Sequence, residues 1–231
     1  HISGNTAHKP LVESESATLL TFAAPSGFDR FQFEAGEALS SAEAKALKSN
    51  EEILESIDNI AENYGIEMRP PEEAFKIDPQ IHIARREDGA MFDAVGDRYR
   101  FLIEGEHTDG RYALWHARIS PGGGPPPHVH SREEEAFYVL SGERLFEANG
   151  QQFTGKPGTF VNLPIGSRHR FSNITGDEAQ VLIFVAPAGL EKMFRRTGQL
   201  VHDPTTPIAA VSLEEKKRLS EIAPEFGITL G

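Results

Sequence analysis

Residues 122–142 read GGGPPPHVHSREEEAFYVLSG and residues 158–173 read GTFVNLPIGSRHRFSN. His128 and His130 are two apart, a spacing that on a β-strand sets both imidazoles on one face, where they can reach a single ion. Pro125, Pro126 and Pro127 lack backbone donors and hold the approach to them extended. Glu135 follows, and His169 comes after a further hairpin and two strands. With no cysteine in the chain, a metal must be held by nitrogen and oxygen. Three imidazole nitrogens and one carboxylate oxygen suit one divalent transition metal (Mn, Fe, Co, Ni, Cu or Zn) and suit Ca or Mg poorly, since those ions take oxygen throughout.

The surrounding text, from about Pro70 to Gly198, consists of short apolar or alternating runs separated by Gly, Pro, Asn and Asp. Strands are predicted at Arg98–Ile103, Tyr112–Ile119, Ala136–Leu140, Arg144–Glu147, Gln152–Thr154, Thr159–Leu163, His169–Asn173 and Ala179–Val185. Many short strands with no intervening helix indicate an antiparallel sandwich or jelly roll. Alternation puts Phe137 and Val139 on the face of Glu135, and Phe171 on that of His169, as candidate pocket walls. His116 is a further pocket candidate, facing the lumen from its strand, whereas His82, His107 and His202 lie in polar or turn-like text and are expected to be solvated.

These residues fill every specified position of the two cupin motifs. The first, G-x5-H-x-H-x3,4-E-x6-G, is met by Gly122, His128, His130, Glu135 and Gly142; the second, G-x5-P-x-G-x2-H-x3-N, by Gly158, Pro164, Gly166, His169 and Asn173. Glu135 is preferred to Glu133 and Glu134 by its distance from Gly142. The resemblance implies a mainly β protein, a cupin jelly-roll (double-stranded β-helix) barrel with short flanking helices. Within the cupins, the stretch from Gly122 to Gly142 and the exit strand ending Ala186-Pro187-Ala188-Gly189 look most like quercetin 2,3-dioxygenases and the two-barrel bicupins similar to them. That likeness implies a metal on His128, His130, Glu135 and His169, with Glu135 also taking the proton of the flavonol 3-hydroxyl. Dioxygen would then be inserted with ring opening and loss of carbon monoxide. Two other classes stay open: an oxygen-independent isomerase or lyase acting on a sugar or keto acid, and a non-catalytic cupin that binds a small molecule.

An internal repeat runs at an offset of 162 residues, from Leu20-Thr-Phe-Ala-Ala-Pro-Ser-Gly27 to Leu182-Ile-Phe-Val-Ala-Pro-Ala-Gly189, and continues to Gly65 and Gly227. Residues 1–40 are accordingly read as the tail strand and turn of an earlier barrel absent from this sequence. Residues 41–70 read as a helical linker, 71–200 as a complete cupin barrel and 201–231 as a C-terminal helical tail. The linker helix starts at Asn50 and stops at Gly65; the tail helix starts at Ser212, with Glu215 completing a capping box. A strand at Thr18–Ala24 would leave an edge to be covered by the second barrel, by the missing barrel or by another chain in a homodimer.

The 35 acidic against 23 basic residues, net −12, argue against nucleic acid as a partner, because phosphate binding draws on Lys and Arg. The longest apolar run, Val181 to Pro187, is too short to span a bilayer, and the chain does not open on a signal-peptide pattern. A cytoplasmic protein with a small-molecule substrate, and dioxygen as co-substrate, is the expectation.

Overall fold

The computed structural model describes residues 14, 16–23, 26–35, 57, 60–66 and 81–231. The chain divides into two compact units, and the described residues from 81 onward belong to the larger. Its strands are β1 (Met91–Ala94), β2 (Asp97–Ile103), β3 (Ala113–Ile119), β4 (His128–His130), β5 (Glu134–Ser141), β6 (Arg144–Ala148), β7 (Gln151–Gly155), β8 (Phe160–Leu163), β9 (Arg168–Asn173), β10 (Ala179–Ala186), β11 (Gln199–Val201) and β12 (Ile228–Leu230). They form two antiparallel sheets, ordered β11-β1-β2-β3-β10-β5-β8 and β12-β4-β9-β6-β7. This is the jelly roll that the strand spacing implies.

All eight segments expected from alternation are strands. The short β1, β11 and β12 are too brief to carry a clear alternating signal, and they form because neighbours offer open edges: β11 pairs with β1, and β12 with β4. The stretch expected as a helical tail is therefore mixed. Its helix, Leu213–Ile222, begins where Ser212 Oγ accepts from the Glu215 amide at 3.0 Å, but the chain then turns at Gly227 and returns as a strand.

The core lies between the sheets. In β10, Ala179, Val181, Ile183 and Val185 are buried while their neighbours are not; Phe101, Trp115 and Phe137 lie on the same face of the same sheet, and Phe146 comes from the opposing one. Each large side chain taken fully from water contributes about 1.5–3 kcal/mol, which sets the register, since a one-residue slip would expose the whole row. The motif glycines have a structural reason. Gly142 turns at φ +74°, and a Cβ there would lie 2.5 Å from that of Ala179.

At the end of the barrel where β2 and β6 begin, two charged side chains are fully enclosed. Asp97 Oδ1 accepts from the Ser120 amide at 3.0 Å, while its Oδ2 and all three Arg144 guanidinium nitrogens have no hydrogen-bond partner among the described residues. Burial pushes the Asp97 carboxyl up to about 7, against the pull of the Ser120 amide and the Arg144 cation. Burial also lowers Arg144 to about 10. An acid whose pKa rises on folding favours the folded state most below its unfolded value of about 3.9, and this contribution is lost as pH rises through about 7. Chemical denaturation is therefore expected to show a loss on the order of 2 kcal/mol between pH 5 and 8. Asp97→Asn should flatten that slope; an unchanged slope in the variant would show that Asp97 is not its source.

In the smaller unit, helix α1 (Phe28–Ala35) buries Phe31 against Phe28 and Tyr64, with ring centroids 5.6 and 5.9 Å away, and Tyr64 donates to Glu34 at 2.6 Å. The two copies of the repeat agree in backbone at their glycines and at the helix that follows the first of them. Gly27 and Gly189 have φ +132° and +140°, and Gly65 and Gly227 have φ +66° and +76°. Helix α1 is matched by α2 (Glu191–Thr197), and α3 is the tail helix Leu213–Ile222. The strand expected at Thr18–Ala24 is not found over residues 18–23, which are exposed and outside any strand; Ala24 lies outside the described residues. An edge segment becomes a strand only where a neighbour supplies the ladder. Of the linker helix, Ile57, Ile60 and Ala61 are helical, and Asn50 with its first turn lies outside the described residues.

Candidate metal centre

Strand β4 places His128 and His130 on one side, and its antiparallel neighbour β9 sets His169 directly opposite His128. Glu135 enters from the start of β5, as its second residue, in the other sheet. The four residues each offer one ligand atom, and these atoms all lie within 4.8 Å of one another.

Backbone acceptors select the tautomers. His128 Nδ1 lies 2.9 Å from the Pro126 carbonyl and His169 Nδ1 lies 2.9 Å from that of Ser167. A carbonyl can only accept, so each Nδ1 carries hydrogen and each Nε2 is the atom left for the centre. His130 Nδ1 faces a carboxylate instead, Glu133 Oε2 at 3.4 Å, and both side chains are buried.

Imidazole nitrogens and carboxylate oxygens crowd together in the site. His169 Nε2 is 3.0 Å and His130 Nε2 3.4 Å from the same atom, Glu135 Oε2. Both nitrogens of His130 and Glu133 Oε2 are buried without a hydrogen bond among the described residues. Orphaned polar atoms of this kind are costly unless something sits among them. Burial pushes His128 down to about 4, so its imidazole is a neutral donor at pH 7. Burial works to raise Glu135, but His130, His169 and His128 overcome it and hold the carboxyl down at about 2. Three imidazole nitrogens with one ionised carboxylate fit a divalent transition metal, which takes the place of the protons on these rings.

The centre opens on a cavity of about 50 Å³. Phe171 lines it, as its place beside His169 suggests. Phe137 and Val139 do not line it. They are fully buried, and Phe137 packs on Phe146 and Phe171 at 5.6 and 5.2 Å. His116 does not face the lumen. Its neighbours Trp115 and Ala117 point into the core, so alternation turns His116 to the outer face, where it meets Gln180. His202 is exposed as expected, but His82 and His107 are half-buried and stack with centroids 3.7 Å apart.

The rest of the wall escaped sequence reading. Tyr99, Trp115 and Ile183 come from the seven-stranded sheet, while Leu190, Met193, Leu219, Ile228 and Leu230 come from the segment after the barrel. Strand β12 pairs Ile228 with His130 and Leu230 with His128, and the Ser131 hydroxyl donates to the Gly227 carbonyl at 2.8 Å. The C-terminal strand is thus part of the site.

A double-sheet antiparallel barrel enclosing a histidine and glutamate cluster defines the class. Residues 115–185 match the family described as Cupin domain, so this part of the chain, with its two antiparallel sheets, is a cupin jelly roll. It is 25% identical over 105 residues to quercetin 2,3-dioxygenase of Bacillus subtilis (strain 168), covering 45% of this chain and 31% of that protein. It is 31% identical over 71 residues to "Polyketide synthase CurC" of Streptomyces cyaneus, covering 31% of this chain and 46% of that protein. The chain thus spans less than half the length of either relative. A solved structure described as a predicted oxalate decarboxylase from Thermotoga maritima is 21% identical, with TM-score 0.42, covering 46% of this chain and 98% of that one. Among the described residues no helix is long and apolar enough to cross a membrane.

Proposed function

We propose that the chain is a metal-dependent dioxygenase of the quercetin 2,3-dioxygenase type, acting on a flavonol or a similar enolisable aromatic. The observation that carries this reading is the convergence of three imidazoles and an ionised, enclosed Glu135 on an apolar cavity, in a chain that resembles a quercetin 2,3-dioxygenase. His128, His130, Glu135 and His169 would hold the metal, which would supply a Lewis-acidic centre with open positions for substrate oxygen and dioxygen. Glu135 would accept the proton of the substrate hydroxyl, because a carboxylate beside a bound cation can exchange that partner for a proton, and the same cation would lower the pKa of a hydroxyl bound to it. Trp115, Ile183 and Leu190 would pack on the aromatic rings and exclude water.

The apolar lining counts against a sugar, whose hydroxyls would be left without partners there. Its size requires movement: pockets for drug-sized ligands run to roughly 300 Å³ or more, so the cavity of about 50 Å³ admits a flavonol only if its wall yields. We read the smaller unit as the tail of a second barrel of the same kind, on the strength of the shared turn, helix and closing glycine.

Protein loaded separately with Mn, Fe, Co, Ni and Cu is expected to consume oxygen in the presence of a flavonol with at least one of these metals, and His128→Ala is expected to abolish this. Metal-loaded protein that consumes no oxygen with any flavonol, yet turns over a keto acid without oxygen, would move the assignment to an isomerase or lyase; binding without turnover would leave a non-catalytic cupin.

A further inference from the structure

The seven-stranded sheet has an outer face that the histidine cluster does not use. Tyr99, Phe101, Trp115 and Val181 point into the core, so Arg98 and Arg100 on β2, His116 and Arg118 on β3 and Gln180 on β10 point away from it. The register sets Arg98 opposite Arg118, Arg100 opposite His116, and Gln180 opposite Arg118. With Arg86, from the segment before β1, they line a groove of about 380 Å³. Like charges directly across strands are unfavourable, and four guanidinium groups in one groove run against the −12 charge of the chain.

Two of the four are neutralised. Arg98 binds both Asp93 oxygens, at 2.7 and 2.9 Å, and donates to the carbonyls of Pro204 and Thr206. Arg118 pairs with Glu178 at 2.7 Å. The other two lack a carboxylate partner among the described residues. Arg86 donates to the Gln180 side-chain oxygen at 2.8 Å, and Arg100 meets the carbonyls of Glu87 and Gly89 and the sulfur of Met91. Gln180 also holds His116, whose Nε2 lies 3.1 Å from the same oxygen. Burial, and then Arg86, Arg100 and Arg118, lower the pKa of His116. The groove therefore keeps two arginines without a salt bridge among the described residues above an imidazole and an amide; of the acids nearby, Glu178 is held by Arg118, while Glu87 and Asp88 act on Arg100 from a distance and without an ion pair.

We propose that this groove is a binding site for a small oxyanion, a phosphate or a dicarboxylate, held by Arg86 and Arg100 over a floor of His116 and Gln180. Guanidinium groups take planar or tetrahedral oxyanions through paired N–H donors, and the two unpaired ones here face a volume many times the roughly 30 Å³ of one water. The site lies on the opposite face of the sheet from the metal centre and does not depend on the reaction there.

The full chain should be titrated with inorganic phosphate and, separately, with succinate, following the His116 ring resonances, assigned by their loss in His116→Gln. Saturable shifts with a dissociation constant near or below about 1 mM are expected. An anion beside His116 offsets the arginine field, so the pKa of His116 should rise on binding. Arg86→Gln, at an exposed position, and Arg86→Gln/Arg100→Gln should each weaken binding tenfold or more with the thermal midpoint and metal content of the histidine centre unchanged. Tighter binding of phosphate than of succinate assigns a phosphorylated ligand, and the reverse a dicarboxylate. No saturable shift up to about 10 mM of either anion, an equal shift with chloride at matched ionic strength, or an undiminished response in the variants would overturn the proposal.

Discussion

Glu135→Gln is expected to cost about 10²–10⁴ in flavonol-dependent oxygen consumption measured at saturating metal, the range for loss of a positioned general base. Gln keeps the shape of the side chain and can leave an oxygen facing His130 and His169, but an amide does not take up a proton near neutral pH. The native carboxyl, held down at about 2 by the three imidazoles, is ionised throughout the working range and available as an acceptor. Loss of one anionic ligand should also weaken metal binding, so elemental analysis of each sample is part of the measurement. His169→Ala serves as the contrasting case. It removes a nitrogen that approaches Glu135 to 3.0 Å and should empty the centre of metal. Glu135→Gln that binds metal and retains activity within about threefold of the native protein would remove Glu135 from the proton-transfer role.

The parts of this molecule that could be read in its sequence are those whose physics is local. His128 and His130 share a face because strands alternate, and Gly142 stands where the backbone must turn through positive φ. The eight strands from Arg98 to Val185 follow from alternation between turn residues. His116 shows that alternation fixes a face only relative to a neighbour: Trp115, the larger apolar residue, takes the inner face and turns His116 outward. Phe137 and Val139 do share the side of Glu135, but alternation says nothing of depth, and both lie below the cavity, where other aromatics fill the barrel. Ile228 and Leu230 were illegible for a different reason. ITL has strand-forming residues but is too short a run to mark a strand by itself, and the segment becomes one by pairing with β4 across about a hundred residues of chain. The groove around Arg100 is a product of register between strands, which no single segment displays.

Gly124→Ala is expected to destabilise the barrel by roughly 4 kcal/mol or more, a large share of the 5–15 kcal/mol of a typical domain. Gly124 has φ +131°, and a Cβ built on it would stand 2.0 Å from the carbonyl oxygen of Phe171 and 3.2 Å from the Cα of Ser172. Both neighbours are backbone atoms of β9, the strand that carries His169, so no side-chain rotation relieves the clash. The strand or the loop must move, and the loop leads through Pro125 to His128, one of the four residues of the candidate metal centre. Gly122→Ala separates conformational strain from this close approach. Gly122 also has positive φ, +72°, but nothing lies within 4 Å of its Cβ position, so only the backbone term of about 1–2 kcal/mol remains. Chemical denaturation of both variants, with metal titration of whichever remains folded, should therefore give a small loss and native metal affinity for Gly122→Ala. Gly124→Ala should show a large loss and weakened metal binding. Equal losses in the two would mean that β9 yields easily, and that the glycine before the proline run is required for its dihedral angles alone.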